Sequence, residues 1–245
     1  MNIVQSGFFL AYFALVGCTA NVDTEHSHPG PPDWESQRHR MVKEQLTSPG
    51  RDITNQLVIS AIMQVPRHEF VPEEHRAQAY EDHPLPIGHG QTISQPYIVA
   101  FMTEQLNPQP SDRVLEIGAG SGYQAAVLSR LVAEVYTIEI VDALAQRAAR
   151  DLKRLGYDNV RVKSGDGYLG WPEHGPFDAI IVTCAPTQIP KPLFEQLREG
   201  GRMIIPVGEM HDQMLYLLEK RNREVIQRAV LPVRFVPMTG AIQKH

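Results

Sequence analysis

The chain has 245 residues, of which 42% are hydrophobic and 21% are charged, a composition typical of a globular protein with a sizeable core. The net charge of −5 provides no basic footprint for nucleic acid, and two cysteines are too few for a disulfide framework or a cysteine-rich zinc site. The ten histidines lack the short spacing of metal ligands, so we expect no metal.

The first 33 residues differ from the rest of the chain. Residues 8–18, FFLAYFALVGC, are apolar, and a polar, proline-rich tether follows them. The apolar run is too short to span a bilayer but suits a signal segment, and its Leu-Val-Gly-Cys end resembles a bacterial lipobox with Cys18 as lipid carrier. Against export, no Lys or Arg precedes the run. We therefore predict a 1–33 signal-like segment with tether, followed by a single domain over 34–245.

The first part of that domain, residues 34–110, shows helical spacing of apolar side chains. The pattern predicts one helix within SQRHRMVKEQLTS and a second within TNQLVISAIMQV, with Thr54 as its N-cap and Pro66 at its end. A linking segment and then a coil are predicted to about Gln95. PYIVAFMTEQLN is predicted to form a third helix with Pro96 in its first turn.

From residue 111 to 245 the pattern changes to strands that alternate with helices. The predicted strands are RVLEIGA, EVYTIEI, VRVKSGD, FDAIIVTCA and RMIIPVG, and a hairpin around residues 221–224 follows them. Apolar strands separated by helices predict a mostly parallel sheet that is covered on both faces. The hairpin adds antiparallel strands at one side.

A glycine-rich turn follows the first strand of this region. Glu116 lies near the strand end, and Gly118, Gly120 and Gly122 permit close approach of a ligand to the backbone. The dinucleotide fingerprint requires a glycine where this chain has Tyr123. A carboxylate here favours a cationic ligand over a phosphate, and S-adenosylmethionine fits through its ammonium and sulfonium groups.

Two more acids come at the ends of the next two strands. Glu139 is placed to accept hydrogen bonds from ribose hydroxyls, and Asp166 with Gly167 is placed to receive the exocyclic amine of adenine. Each alone is also consistent with a solvated strand end or a common turn. NAD enzymes use the Glu139 position too, but Tyr123 and the lack of an evident hydride-transfer acid disfavour a dehydrogenase.

The residues after the strand FDAIIVT narrow the class further. Many enzymes that methylate amines on nucleic acid carry Asn/Asp-Pro-Pro-aromatic at this point, whereas this chain reads Cys-Ala-Pro-Thr. No amide or carboxylate is offered to an amine nucleophile. Cys184 follows an apolar strand without an activating partner, so we interpret it as a buried apolar residue and not as a nucleophile.

Six segments together resemble the bacterial protein-L-isoaspartate O-methyltransferases: LPIGHGQTISQPYIVA, VLEIGAGSGYQ, GDGYLGWP, PFDAIIVTCAP, LREGGRMIIPVG and VRFVPMTG. The resemblance covers roughly residues 42–240, and the GQTISQP segment is not shared by methyltransferases in general. It implies a Rossmann-like class I methyltransferase fold, a doubly wound sheet with antiparallel terminal strands and an N-terminal helical subregion. It also implies S-adenosylmethionine as cofactor. The N-terminal extension departs from the family, whose members typically lack it.

The resemblance also implies roles for individual residues. The family's active-site serine corresponds to Ser94, and Thr239 matches a position near cofactor and substrate. The implied cofactor contacts are Gln91, Thr92, Ile93, Glu116, Gly118, Gly120, Glu139, Asp166 and Gly167. No His/Asp pair indicates a serine triad, so we expect Ser94 to orient the acceptor; the alternative is an N-cap of the third helix.

The implied reaction is methyl transfer from S-adenosylmethionine to the free α-carboxylate of L-isoaspartyl residues in damaged proteins and peptides. Two alternatives stay open at this point: a methyltransferase for a small-molecule carboxylate or hydroxyl, and an inactive module that binds proteins. We expect a monomer in the cytoplasm without nucleic-acid partners. The alternative is export to the envelope, with membrane attachment only if Cys18 is lipidated.

Overall fold

The structure of the protein is a computed structural model that describes residues 32–241. The predicted signal-like segment, its lipobox and Cys18 lie outside the described residues. The division of the chain at residue 33 therefore stays a prediction.

Six helices of the described chain flank two sheets. The helices are α1 Trp34–Met41, α2 Gln56–Gln64, α3 Pro96–Leu106, α4 Tyr123–Ser129, α5 Asp142–Arg154 and α6 Lys191–Glu195. The strands are β1 Leu85–Gly88, β2 Gln91–Ile93, β3 Arg113–Ile117, β4 Glu134–Glu139, β5 Val160–Ser164, β6 Phe177–Val182, β7 Leu197–Glu209, β8 Asp212–Arg221 and β9 Glu224–Val233.

The N-terminal part contains the three predicted helices, with one correction to the capping. Asn55 and not Thr54 caps α2, because its side-chain oxygen accepts hydrogen bonds from the second and third helical N–H groups, at 3.0 and 3.4 Å. The backbone N–H of Thr54 donates instead to Glu104 of α3, at 2.8 Å. This bond ties the start of α2 to α3.

The coil predicted before Gln95 is wrong, because β1 and β2 form a small antiparallel sheet there. The turn between them consists of Gly88, His89 and Gly90, all with positive φ, at 89°, 54° and 71°. Positive φ is accessible to glycine at little cost, which explains why two of the three residues are glycines. The hairpin holds the uncharged GQTIS segment next to the start of α3.

The larger sheet has the strand order β5-β4-β3-β6-β7-β8-β9. Its first five strands in this order are parallel, and β8 and β9 are antiparallel additions. The β8–β9 turn at Asn222 and Arg223, with φ of 53° and 65°, confirms the predicted hairpin. The strand predicted to start at Arg202 begins earlier, at Leu197, so the preceding helix α6 is shorter than predicted.

Alternate residues along the strands pack into two cores, one on each face of the sheet. On β3, Val114 contributes to the core beneath α3, α4 and α5, whereas Leu115 and Ile117 contribute to the opposite core, which α6 covers. Strands β4 and β5 are added on one side of β3, whereas β6 and β7 are added on the other side, so the strand order reverses between β3 and β6. Such a switch point leaves a crevice at the strand ends.

Across residues 32–241, none of the helices has both the length and the apolar character needed to cross a bilayer.

Candidate active site

A crevice lies at the carboxyl ends of β3, β4 and β6, at the switch point of the sheet; we call it the rim crevice. Its lining includes Gln91, Thr92, Gly118, Gly120, Glu139, Gly167, Thr183, Cys184 and Thr239. Most of the residues that the sequence assigns to a cofactor therefore meet in one place.

The close packing of Gly118 against Thr183 shapes the floor of the rim crevice. Gly118 has a φ of 97°, and a Cβ atom there would lie 2.4 Å from the hydroxyl oxygen of Thr183. That hydroxyl lies 2.9 Å from the carbonyl oxygen of Ile117 and 2.7 Å from that of Gly118, and it donates to this pair. A side chain at position 118 would therefore push β3 and β6 apart at the site.

Glu139 holds the glycine turn in place. Its side chain is buried, with 5% exposure, and one carboxylate oxygen accepts the backbone N–H of Gly120 at 2.8 Å. The other oxygen accepts the N–H of Val141 at 2.9 Å. Each oxygen retains a lone pair for a ligand, because a carboxylate offers about four acceptor sites.

Glu116 is fully buried behind this turn, and neither of its carboxylate oxygens has a hydrogen-bond partner in good geometry among residues 32–241. Burial raises the pKa of Glu116 to about 8. The hydroxyl of Thr137, in register on β4, lowers this pKa, and the negative charge of Glu139 adds to the increase. An unpaired buried acid of this kind favours a cation nearby.

Asp166 lies where the sequence predicts, just after β5, but it is not part of the lining of the rim crevice. Its two carboxylate oxygens accept the backbone N–H groups of Tyr168 at 2.9 Å and Ala241 at 2.7 Å. A Cβ atom on Gly240 would lie 2.6 Å from both oxygens, so the C-terminal segment packs tightly on this acid. Gly167, the next residue, does line the crevice.

The interpretation of Cys184 as only a buried apolar residue is wrong in part, because the half-buried side chain lines the rim crevice. Burial raises the pKa of the thiol to about 12, and the negative charges of Glu139 and Asp166 act in the same direction. The thiol therefore stays protonated at neutral pH, which agrees with its rejection as a nucleophile.

Two further cavities continue from the rim crevice and share Thr92 and Thr183 with it. An inner pocket is lined by residues that include Ile93, Ser94, Glu116, Ser121, Tyr123 and Gln124. The second cavity is a groove of about 850 Å³, which we call the long groove. Its lining includes Ser94, Gln95, Ile98, Met210 and residues 232–237. Ser94 lies in both, so it stands between the buried acid and the open groove.

Ser94 does not cap the third helix. The N-cap of α3 is Gln95, whose side chain makes no capping bond, and Pro96 at the first helical position has no N–H to satisfy. Ser94 is half-buried, and within the described chain its hydroxyl has no hydrogen-bond partner. The hydroxyl is thus available to a ligand in the groove. Thr239 lies at the rim crevice and not in the groove.

Sequence reasoning missed two residues of this site. Thr183 directly follows a buried strand, and its place at a strand end of a parallel sheet is the signal that could have found it. Met210 lies in the β7–β8 turn, and no local pattern connects it to Ser94. Within residues 32–241, no group of three or more His, Cys, Asp or Glu side chains could hold a metal ion.

Comparison with known proteins agrees with this geometry. The family model for protein-L-isoaspartate(D-aspartate) O-methyltransferase (PCMT) matches residues 37–243. A protein-L-isoaspartate O-methyltransferase of Opitutus terrae is 58% identical over 231 residues, which cover 94% of this chain and 95% of the relative. One from Gloeobacter violaceus is 56% identical over 200 residues, or 81% of this chain and 97% of the relative.

Solved structures give the same answer. A protein-L-isoaspartate O-methyltransferase structure is 32% identical, with a TM-score of 0.74 over 85% of this chain and 66% of that one. A Plasmodium falciparum relative, solved with S-adenosyl-L-homocysteine, is 27% identical, with a TM-score of 0.72 over 85% of this chain and 99% of that one. These matches confirm the predicted fold class and cofactor class. The chain belongs to the protein-L-isoaspartate (D-aspartate) O-methyltransferase family.

Proposed function

We propose that the rim crevice holds S-adenosylmethionine and that the long groove holds an isoaspartyl residue of a damaged protein, whose free α-carboxylate receives the methyl group. The observation that carries this proposal is the meeting of an acid-lined crevice and an uncharged loop at Thr92 and Thr183. The methyl ester then collapses to a succinimide, and hydrolysis of the succinimide partly restores normal aspartate.

The residues of the rim crevice fit a cationic cofactor. Glu139 lines the rim crevice, and Glu116 lines the adjoining inner pocket, where its orphaned oxygens are suited to a nearby ammonium or sulfonium group. A cation bound there favours the ionised form of Glu116. Gly118 and Gly120 let the backbone approach the ligand, and a Cβ atom at Gly118 would displace Thr183 from the floor of the crevice. When bound, S-adenosylmethionine supplies the electrophilic methyl group.

The adenosine end of the cofactor is assigned to the outer rim. Glu139 accepts the ribose hydroxyls through its remaining lone pairs, and Asp166 accepts the adenine amine through the lone pairs that its two backbone bonds leave free. Gly167 allows the base to lie close to β3, since a Cβ atom there would meet Ile117 at 2.4 Å. Gln91, Thr92 and Ile93 close the site from the β2 side, and Thr239 closes it from the C-terminal side.

The acceptor side needs orientation more than it needs a base. A substrate carboxylate has an ordinary pKa near 4 and is ionised at neutral pH, so no proton has to be removed. The oxygen–methyl bond forms as the sulfur–methyl bond breaks, and the sulfur keeps the electron pair. The Ser94 hydroxyl donates a hydrogen bond that aligns the carboxylate without neutralising it, which preserves its nucleophilicity.

The test of this proposal is Ser94→Ala with a pair of peptides that differ only in an isoaspartyl or a normal aspartyl residue. We expect methylation of the isoaspartyl peptide alone, and a ten- to thousand-fold lower kcat in the variant, or about 1.4–4 kcal/mol. The Kd for S-adenosyl-L-homocysteine should stay the same by calorimetry. The matched control is Ser48→Ala, because Ser48 is absent from the lining of the groove and its hydroxyl donates to the carbonyl oxygen of Glu44.

Four outcomes would contradict the proposal. Unchanged turnover in the Ser94 variant would remove its role, and equal methylation of both peptides would remove the isoaspartyl specificity. Turnover only with small carboxylates or alcohols would favour the small-molecule alternative, although a groove of about 850 Å³ suits an extended peptide better. No methyl transfer at all would favour the inactive binding module.

We also propose that the protein acts as a monomer in the cytoplasm, where S-adenosylmethionine is made, and that it needs no nucleic-acid partner. Mass spectrometry of the native N-terminus tests the location. A chain that begins at lipid-modified Cys18 would place the protein in the envelope and attach it to a membrane. Light scattering of the purified protein tests the monomer.

A further inference from the structure

Met210 is an exposed apolar side chain at the tip of the β7–β8 hairpin. The last pair of the hairpin is Glu209 with Asp212, so Met210 and His211 form the turn. The Met210 side chain is 56% exposed, among the most exposed of the large hydrophobic residues in the described chain, and it lines the long groove that leads to Ser94.

The wall of the groove near Met210 is mostly apolar. Pro232, Val233 and Phe235 belong to it, and among residues 32–241 Arg234 is the one charged residue in its lining. The Met210 thioether leaves apolar surface exposed to water beside this wall. It can adapt to the shape of an apolar ligand group, because methionine is flexible and polarisable. This part of the groove is therefore suited to an apolar side chain and not to a solvated polar one.

The hairpin tip is fixed relative to the opposite wall. The buried amide of Gln213 donates to the carbonyl of Phe235 at 3.1 Å and accepts the N–H of Phe235 at 2.6 Å. On the other strand, a Cβ atom on Gly208 would lie 2.0 Å from the carbonyl oxygen of Asp212, so the two strands are tightly apposed just below the turn. Met210 is thus held in place beside the groove.

We propose that Met210 determines substrate specificity by contacting a large apolar side chain that flanks the isoaspartyl residue. This inference rests on the proposed function, because it requires the isoaspartyl residue to lie at Ser94. The continuity of the groove from Ser94 to Met210 places a neighbouring substrate residue against the thioether. Met210 does not line the rim crevice to which the methyl donor is assigned, so this contact acts on substrate binding and not on the chemical step.

The experiment uses pairs of isoaspartyl peptides. Within a pair, one peptide carries leucine and the other serine at a single position, which is one or two residues before or after the isoaspartyl residue. For the wild-type protein, we expect leucine at one of these positions to lower KM about five- to tenfold, with kcat unchanged. In Met210→Ser the leucine peptide and the serine peptide of that pair should have the same KM. Met210→Leu should keep the lower KM for the leucine peptide. His211→Ser, which changes the neighbouring turn residue, should keep the preference of the wild-type protein.

The outcomes separate this inference from the function on which it rests. Methylation of every isoaspartyl peptide with the same KM, or a leucine preference that persists in Met210→Ser, would overturn the role of Met210 alone. Failure to methylate any isoaspartyl peptide would overturn the proposed function, and the role of Met210 with it. Thermal denaturation of Met210→Ser, compared with that of His211→Ser, checks that a lost preference does not come from unfolding.

Discussion

The rim crevice and the long groove share Thr92 and Thr183 but differ in charge and in packing. At the crevice, Glu139 is buried and Gly118 is packed so tightly that a Cβ atom would overlap Thr183. In the groove, no carboxylate of the described residues belongs to the lining, and a Cβ atom on Gly90 would meet nothing within 4 Å. One side is rigid and acidic, and the other is open and largely uncharged.

This difference follows from the charges of the two ligands of the reaction. A cationic methyl donor is stabilised by carboxylates that are already in place and need no rearrangement. An anionic acceptor would be repelled by the same carboxylates, and a close cation would stabilise its ground state more than its transition state. Neutral hydrogen-bond donors such as Ser94 avoid both problems. The comparison predicts that changes at the crevice alter cofactor affinity, and that changes in the groove alter turnover or KM.

The largest expected effect on cofactor affinity is that of Gly118→Ala. The new methyl group would overlap the Thr183 hydroxyl, and the residue would keep an unfavourable φ of 97°. Strain lowers stability, and the displacement of Thr183 from the crevice floor should cost about 3 kcal/mol of binding free energy, a loss of about 100-fold in affinity for S-adenosyl-L-homocysteine. Isothermal titration calorimetry measures this loss.

Gly156→Ala is the matched control for Gly118→Ala. Gly156 also has a positive φ, of 77°, but a Cβ atom there would meet nothing within 4 Å. It lies after α5 and does not line the rim crevice. We expect it to lose stability from strain alone, with normal affinity. Equal affinities in the two variants would show that the packing of Gly118 against Thr183 does not shape the cofactor site.

An intermediate effect is expected from the protonation of Glu116. Burial raises its pKa from 4.5 to about 8, so the free protein holds this carboxyl mostly protonated at pH 7. A bound cation favours the ionised form, so binding of S-adenosylmethionine releases a proton. Affinity should therefore rise with pH up to about 8, by at most about tenfold per pH unit. Calorimetry in buffers of different ionisation enthalpy measures the proton release.

The same pKa has a consequence for stability that has the opposite sign. Because the pKa is raised in the folded chain, the contribution of Glu116 to stability is fully present below pH 4.5 and is lost as pH rises through about 8. Glu116→Gln should abolish both pH dependences, since an amide does not titrate in this range. A pH dependence of cofactor affinity that persists in Glu116→Gln would assign the proton to another group.

The rigid side of the site was largely predictable from the sequence, and the open side was not. Glu116, the glycine turn and Glu139 follow buried strands of a parallel sheet, and such a sheet brings the carboxyl ends of its strands together. That local pattern, with the family resemblance, was enough to predict the fold, the family and S-adenosylmethionine, which the comparisons confirm. The roles of the individual residues stay predictions.

The groove depends on contacts between segments that are distant in sequence. Met210 and Ser94 line it together because β8 carries the hairpin turn back past the end of β9, a register that no local pattern specifies. The β1–β2 hairpin was missed for a similar reason, since its strands are only four and three residues long. The prediction of Thr54 as the N-cap of α2 was wrong because Asn55, the next residue, is a residue type that caps helices equally well.

The smallest effect is expected for Thr183→Val, and it tests the junction of the two regions. Valine keeps the shape of threonine but loses the hydroxyl that donates to the carbonyl oxygens of Ile117 and Gly118. Loss of about 1 kcal/mol of hydrogen bonding should weaken the affinity for S-adenosyl-L-homocysteine about three- to tenfold. Because Thr183 also lines the groove, KM for an isoaspartyl peptide should rise in the same variant.

Thr183→Ser keeps the hydroxyl and should keep both values near those of the wild-type protein. If Thr183→Val changes the cofactor affinity and leaves KM untouched, the crevice and the groove are separate sites that only adjoin, and the common floor at Thr183 has no role in the acceptor side.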